Sequence, residues 1–125
     1  MAGRIDKDGV GMVVVIFEVW PASGRAPEYL DLAAKLKPEL EKMDGFVSIE
    51  RFESLTTKGK ILSLSTWRDE EAVRAWRNRE AHRAAQAKGR HGVFADYRIR
   101  VAAVLRDYGM KERAEVPADS RAVHE

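Results

Sequence analysis

The sequence predicts an α+β domain of the ferredoxin-like type: element order βαββαβ, one four-stranded antiparallel sheet, and both helices on one face of it. Three observations carry this. Residues 12–20 form a nearly continuous apolar, β-branched run, as expected of a strand covered on both faces in the middle of a sheet. The turn signal Thr56-Thr57-Lys58-Gly59 separates two strand-like stretches. Apolar residues at helical spacing follow the first strand and precede the last. With 125 residues the chain is one domain.

The first strand runs from Met12 to Trp20 and is stopped by Pro21. Pro27 suits a first helical position, and Leu30, Ala33, Leu36, Leu40 and Met43 recur at helical spacing. Pro38 lies inside that pattern and predicts a kink or break; Gly45 predicts the stop. Strict alternation over residues 46–53 would put Phe46, Ser48, Glu50 and Phe52 on one face and Val47 and Ile49 on the other. Residues 60–67 complete an antiparallel hairpin. Asp69-Glu70-Glu71 opens the second helix, with Val73 and Trp76 inward. Glu80 would fall in the same stripe, so a break is expected near Asn78, a good N-cap for a further segment that ends at Gly89. That segment turns Ala81, Ala84 and Ala85 inward, with His82 and Gln86 along the edge. Val93 and Phe94 anchor the connection to a last strand, residues 97–108. There Ile99, Val101, Ala103 and Leu105 share one face and Arg98, Arg100, Ala102, Val104 and Arg106 the other. Residues 1–11 are expected to be a loose arm, 12–110 the folded domain and 111–125 a mobile polar tail.

Composition excludes several functions. The chain is 45% hydrophobic and 34% charged, and it has no cysteine, which removes disulfides, thiolate catalysis and thiolate-bound zinc. No apolar run approaches the ~20 residues of a membrane span. Residues 1–8 lack an apolar h-region, so no signal peptide and a cytoplasmic location are expected. Net charge is +2. The basic residues Arg74, Arg77, Arg79, Arg83, Lys88 and Arg90 are interrupted by Glu70, Glu71 and Glu80 and have no interleaved aromatics; they read as a solvated helix face with no nucleic-acid partner. His82, His91 and His124 lack ligand spacing, so no metal site is expected. Two helices on one face leave the other face of the sheet uncovered, which predicts a homodimer through sheet-to-sheet packing.

The segment Ser65-Thr66-Trp67-Arg68-Asp69-Glu70-Glu71-Ala72, then Trp76, then Glu80-Ala81-His82-Arg83-Ala84-Ala85-Gln86, resembles the antibiotic biosynthesis monooxygenase family. So does Phe17-Glu18-Val19 followed by Pro21, while residues 96–102 and 106–109 resemble a bacterial subgroup. The resemblance spans about residues 12–109. It implies a dimeric α/β barrel, with a pocket between sheet and helices in each subunit. Members include cofactor-independent oxygenases of aromatic polyketides, quinol oxygenases and haem-degrading enzymes. The haem-degrading branch has an asparagine in the first strand, a tryptophan in the second helix and a histidine ten positions after it. Here Trp76 matches, but the other two positions hold Phe17 and Gln86, which argues against haem.

The function expected from the resemblance is a cofactor-independent monooxygenase that uses molecular oxygen on an aromatic or quinol-type small molecule. His82 is the expected base, since imidazole titrates near neutrality. Phe17, Phe52, Trp76 and Gln86 are expected to border the substrate, and Arg100 to stabilise an enolate or phenolate oxygen. Each has a simpler structural reading: a rim histidine, core aromatics, and arginines paired with Glu50 or Glu53. The alternative function is a non-catalytic dimer of the same fold, binding a small molecule or associated with stress. It would be favoured by a pocket that Trp76, Phe52 and Phe94 close.

Overall fold

The computed structural model describes residues 11–79, 83–84, 87 and 92–124. Four strands, β1 (Val13–Pro21), β2 (Phe46–Glu53), β3 (Ile61–Trp67) and β4 (Phe94–Ala103), form one sheet in the order β2-β3-β1-β4, every neighbouring pair antiparallel. Helices α1 (Ala26–Glu41) and α2 (Glu70–Arg77) follow β1 and β3. The order and pairing are those of the expected ferredoxin-like fold, with β1 inside the sheet.

Registers place side chains in rows across the sheet. Phe46, Trp67, Val13 and Ala103 form one row; Ile49, Ser65, Val15 and Val101 the next; Arg51, Ser63, Phe17 and Ile99 the third. These rows face the helices. On the opposite face stand Ile16, Leu64 and Glu50 around Arg100, with Glu18, Leu62 and Phe52 beside them.

α1 starts at its proline end, with Arg25 at the N-cap and Pro27 in the first turn, where a missing N–H costs nothing. It continues through Pro38, where a kink or break was expected. That proline offers no N–H to the carbonyl of Ala34, one lost bond in a helix whose Tyr29, Ala33 and Leu40 are buried. α2 is capped by Asp69, whose side chain accepts a 2.9 Å hydrogen bond from the Ala72 N–H. That bond first, and Arg68 second, hold the Asp69 carboxyl below the ordinary carboxylate range. α2 ends at Arg77, so the break expected near Asn78 is present; Asn78 is the C-cap, its Nδ2 donating to the Arg74 carbonyl at 2.9 Å, while the start of the further segment that it was expected to cap lies outside the described residues. Arg83, Ala84 and Ala87 are helical, and Ala84, expected inward, is exposed.

Residues 111–124 carry local structure of their own. Val116 is buried, the Asp107 N–H donates to Glu115 at 2.7 Å, Arg121 donates to the Arg113 carbonyl at 2.6 Å, and Ala118–His124 is helical. One buried apolar side chain and these bonds fold residues 111–124 back, where polar composition alone suggested mobility. Of the expected arm, residues 1–11, only Gly11 is among the described residues. No helix among the described residues is long and apolar enough to cross a membrane.

Gly45 joins α1 to β2 at φ 86°, and a Cβ there would stand 2.6 Å from the Ala72 Cβ. Gly45→Ala is therefore expected to lower stability by about 1–3 kcal/mol in urea unfolding. Asp69→Ala is expected to cost about 1 kcal/mol at neutral pH. The depressed carboxyl contributes stability above its unfolded-state pKa and loses it as pH falls through the folded value. The difference between Asp69→Ala and the parent should therefore shrink in acid; a pH-independent difference contradicts the capping role.

Candidate active site

The apolar core is divided. One cluster joins Val13, Leu40, Trp67, Ala72, Val73 and Trp76; the other joins Val19, Tyr29 and Val93, with Phe17, Leu32, Ile61 and Phe94 packed on it. Between them, under α1, lies a cavity of about 260 Å³. Its floor is the two middle rows of the sheet, and Leu32, Ala33 and Leu36 of α1 roof it.

Small side chains create this space. Ser63 and Ser65 of β3 are buried and line the cavity, where leucine at the same places would close it. The Trp67 Nε1–H donates to Ser65 Oγ at 3.0 Å, which fixes the fully buried indole at one end. At the other end Phe17, Tyr29, Phe94 and Tyr97 stack edge-on or tilted, with centroids 5.7–6.3 Å apart. Tyr97, Ile99 and Val101 of the edge strand β4 line the cavity yet stay substantially exposed, so it opens on that side.

Two arginines interrupt the apolar lining. Arg77, at the end of α2, is exposed. Arg51 is half-buried, and its Nε is buried with no hydrogen-bond partner among the described residues. Among the described residues no aspartate or glutamate lines the cavity. A buried donor left unmade costs about 1–3 kcal/mol, more when charged.

The expected site residues divide as follows. Phe17 and Trp76 both line the cavity. Phe52 does not. A β-bulge at Val47, between Phe46 and Ser48, shifts the parity of β2, so Phe46, Ile49 and Arg51 turn to the helices and Phe52 to the opposite face. Arg100 also faces away. It pairs with Glu18, which Lys60 binds from the other side at 2.6 Å. Lys60 first, with Arg100, holds the Glu18 carboxyl below its ordinary range. Glu18 thus replaces the expected Glu50 or Glu53 as partner, and an oxyanion role for Arg100 in this cavity is ruled out by its side of the sheet. His82 and Gln86 lie outside the described residues. Phe94, whose closure of the pocket with Trp76 and Phe52 would have favoured the non-catalytic alternative, joins the aromatic end wall of an open cavity.

Sequence reasoning missed Tyr29, Arg51, Ser63 and Ser65 as cavity residues. The signal was present in Leu62-Ser63-Leu64-Ser65-Thr66-Trp67: the tryptophan shares the serines' parity, so a buried Trp67 carries both serines inward. Filling this space should separate binding from folding. Ser63→Leu is expected to leave thermal stability within about 1–2 kcal/mol of the parent. It should also abolish the fluorescence enhancement of the neutral apolar probe N-phenylnaphthylamine; unaltered enhancement places the probe elsewhere.

The family model for antibiotic biosynthesis monooxygenase matches residues 12–88. A relative from Pyricularia oryzae, named jasmonate monooxygenase ABM, is 47% identical over 93 residues, which are 74% of this chain and 43% of that protein. The chain thus spans less than half the length of that fungal relative. Among solved structures, Rv0793 from Mycobacterium tuberculosis superposes with a TM-score of 0.71 at 18% identity, covering 79% of this chain and all of that one. PA3566 from Pseudomonas aeruginosa gives 0.66 at 16% identity, over 75% and 94% of the two chains. At such identities these two establish the fold alone. With the family model matched over most of the folded domain, the chain belongs to the antibiotic biosynthesis monooxygenase family.

Proposed function

We propose that this protein is a cofactor-independent monooxygenase acting on an aromatic or quinol-type small molecule held in the cavity between sheet and α1. The observation that carries this reading is the cavity itself: open at β4, walled by Phe17, Tyr29, Phe94 and Tyr97, and bounded by Trp76. An aromatic wall suits a flat substrate, and an apolar enclosure strips water from a reacting carbanion.

In this reading a base removes a proton from an activated carbon or phenol. The carbanion gives one electron to oxygen, and the radical pair joins through a new C–O bond. Loss of water leaves a carbonyl. A CH₂ group and O₂ become C=O and H₂O, with the substrate supplying every electron, so no metal, flavin or haem is required. His82, six positions after Trp76, is the proposed base. The protein contributes orientation and a dry site. The working unit is proposed to be a homodimer through the face of Ile16, Leu62, Leu64 and Phe52, which α1 and α2 leave uncovered.

A second reading comes from the relative's name: the substrate is jasmonate or a similar cyclopentanone, as suggested by the 47% identity. Both are tested by oxygen uptake with dihydroxyanthrone and with jasmonate, in chelator and without added cofactor, using heavy-isotope oxygen. One labelled oxygen atom in the product and one in water is the expected result for the true substrate. His82→Ala should lower kcat about a hundredfold or more. Uptake that appears only after adding metal, flavin or haem contradicts the cofactor-independent mechanism; an unchanged rate in His82→Ala removes that residue from it.

A further inference from the structure

Resting on the reading of the cavity as the substrate site, we infer that its ligand is an organic anion, a carboxylate joined to a flat apolar body, with Arg51 as the residue that holds the charge. Arg51 Nε is buried without an acceptor among the described residues, and among those residues no carboxylate lines the cavity to neutralise it. A guanidinium keeps its charge and offers a planar fork of donors that matches a carboxylate. A buried donor left without an acceptor is unfavourable, so a ligand that brings an anionic acceptor to Arg51 Nε would satisfy it.

The sheet sets the length of that ligand. Arg51 pairs with Ser63, and Ser63 with Phe17, in one row across β2, β3 and β1. Two strand spacings put their backbones roughly 10 Å apart. Ser63, the residue between them, is small and leaves the path open. A carboxylate at Arg51 therefore directs its apolar body toward Phe17 and the rings of Tyr29, Phe94 and Tyr97 stacked around it. A one- or two-ring acid fits that span. Arg77, exposed at the end of α2, lies on the cavity's lining as a second cation and is the rival anchor.

The test compares naphthoate with methyl naphthoate, the same body without the charge, by titration calorimetry on the full chain. The parent is expected to bind naphthoate about tenfold or more tightly than the ester, as charge-assisted hydrogen bonds imply. Arg51→Gln should erase that preference and leave ester affinity unchanged, while Arg51→Lys keeps part of it and Arg77→Gln keeps most. Equal binding of acid and ester by the parent overturns the inference yet leaves the cavity as a binding site. A preference that survives Arg51→Gln but is lost in Arg77→Gln overturns the assignment to Arg51. Failure of the parent to bind either compound overturns the inference together with the reading of the cavity on which it rests. Because the parent comparison needs no variant, the inference stays open to refutation even if Arg51→Gln fails to fold.

Discussion

The rest of the structure depends on two serines. Ser63 and Ser65 occupy the centre of the helix-facing side of the sheet, where volume is most needed to fill the space beneath α1. Interiors pack densely, so small side chains at such positions leave a space that neighbours cannot fully close. The core therefore condenses at both ends of α1, around Trp67 and Trp76 on one side and around Tyr29, Val19 and Val93 on the other. The cavity is what remains between two well-packed halves.

The two faces of the sheet then do different work. Toward the helices, the rows through Val15 and Phe17 present an apolar floor with one orphaned cationic donor. On the far side, Glu18 binds both Lys60 and Arg100 amid Ile16, Leu62 and Leu64. There the charges satisfy one another, whereas in the cavity Arg51 Nε has no acceptor among the described residues. One strand, β1, serves both, because alternate side chains of a strand point to opposite faces.

Most of the fold was legible in sequence because it rests on patterns with long reach. Residues 12–20, the hairpin turn and the helical spacing of residues 30–43 gave strand order, pairing and layers. Periodicity read Trp76 as an inward residue and the resemblance placed it and Phe17 beside the substrate; both side chains line the cavity. The failures are local. One extra residue at Val47 reversed the face of Phe52 and delivered Arg51 inward, and strict alternation has no means of registering a bulge. Arg100 was read for its chemistry before its face was known. The serines were passed over because polar residues in a strand ordinarily face water, whereas here Trp67 sets the parity. The contacts of residues 107–124, a single buried valine and a few hydrogen bonds, carry no compositional signal.

The central claim is that the divided core makes a binding cavity on the helix side of the sheet. Methyl-resolved NMR on isoleucine, leucine and valine groups with naphthoate addresses it directly. The account expects contacts between the ligand ring and the methyls of Val15, Ile49, Ile99 and Val101, with none to Ile16, Leu62 or Leu64. Contacts confined to those last three methyls would place the ligand on the uncovered face of the sheet and contradict the account.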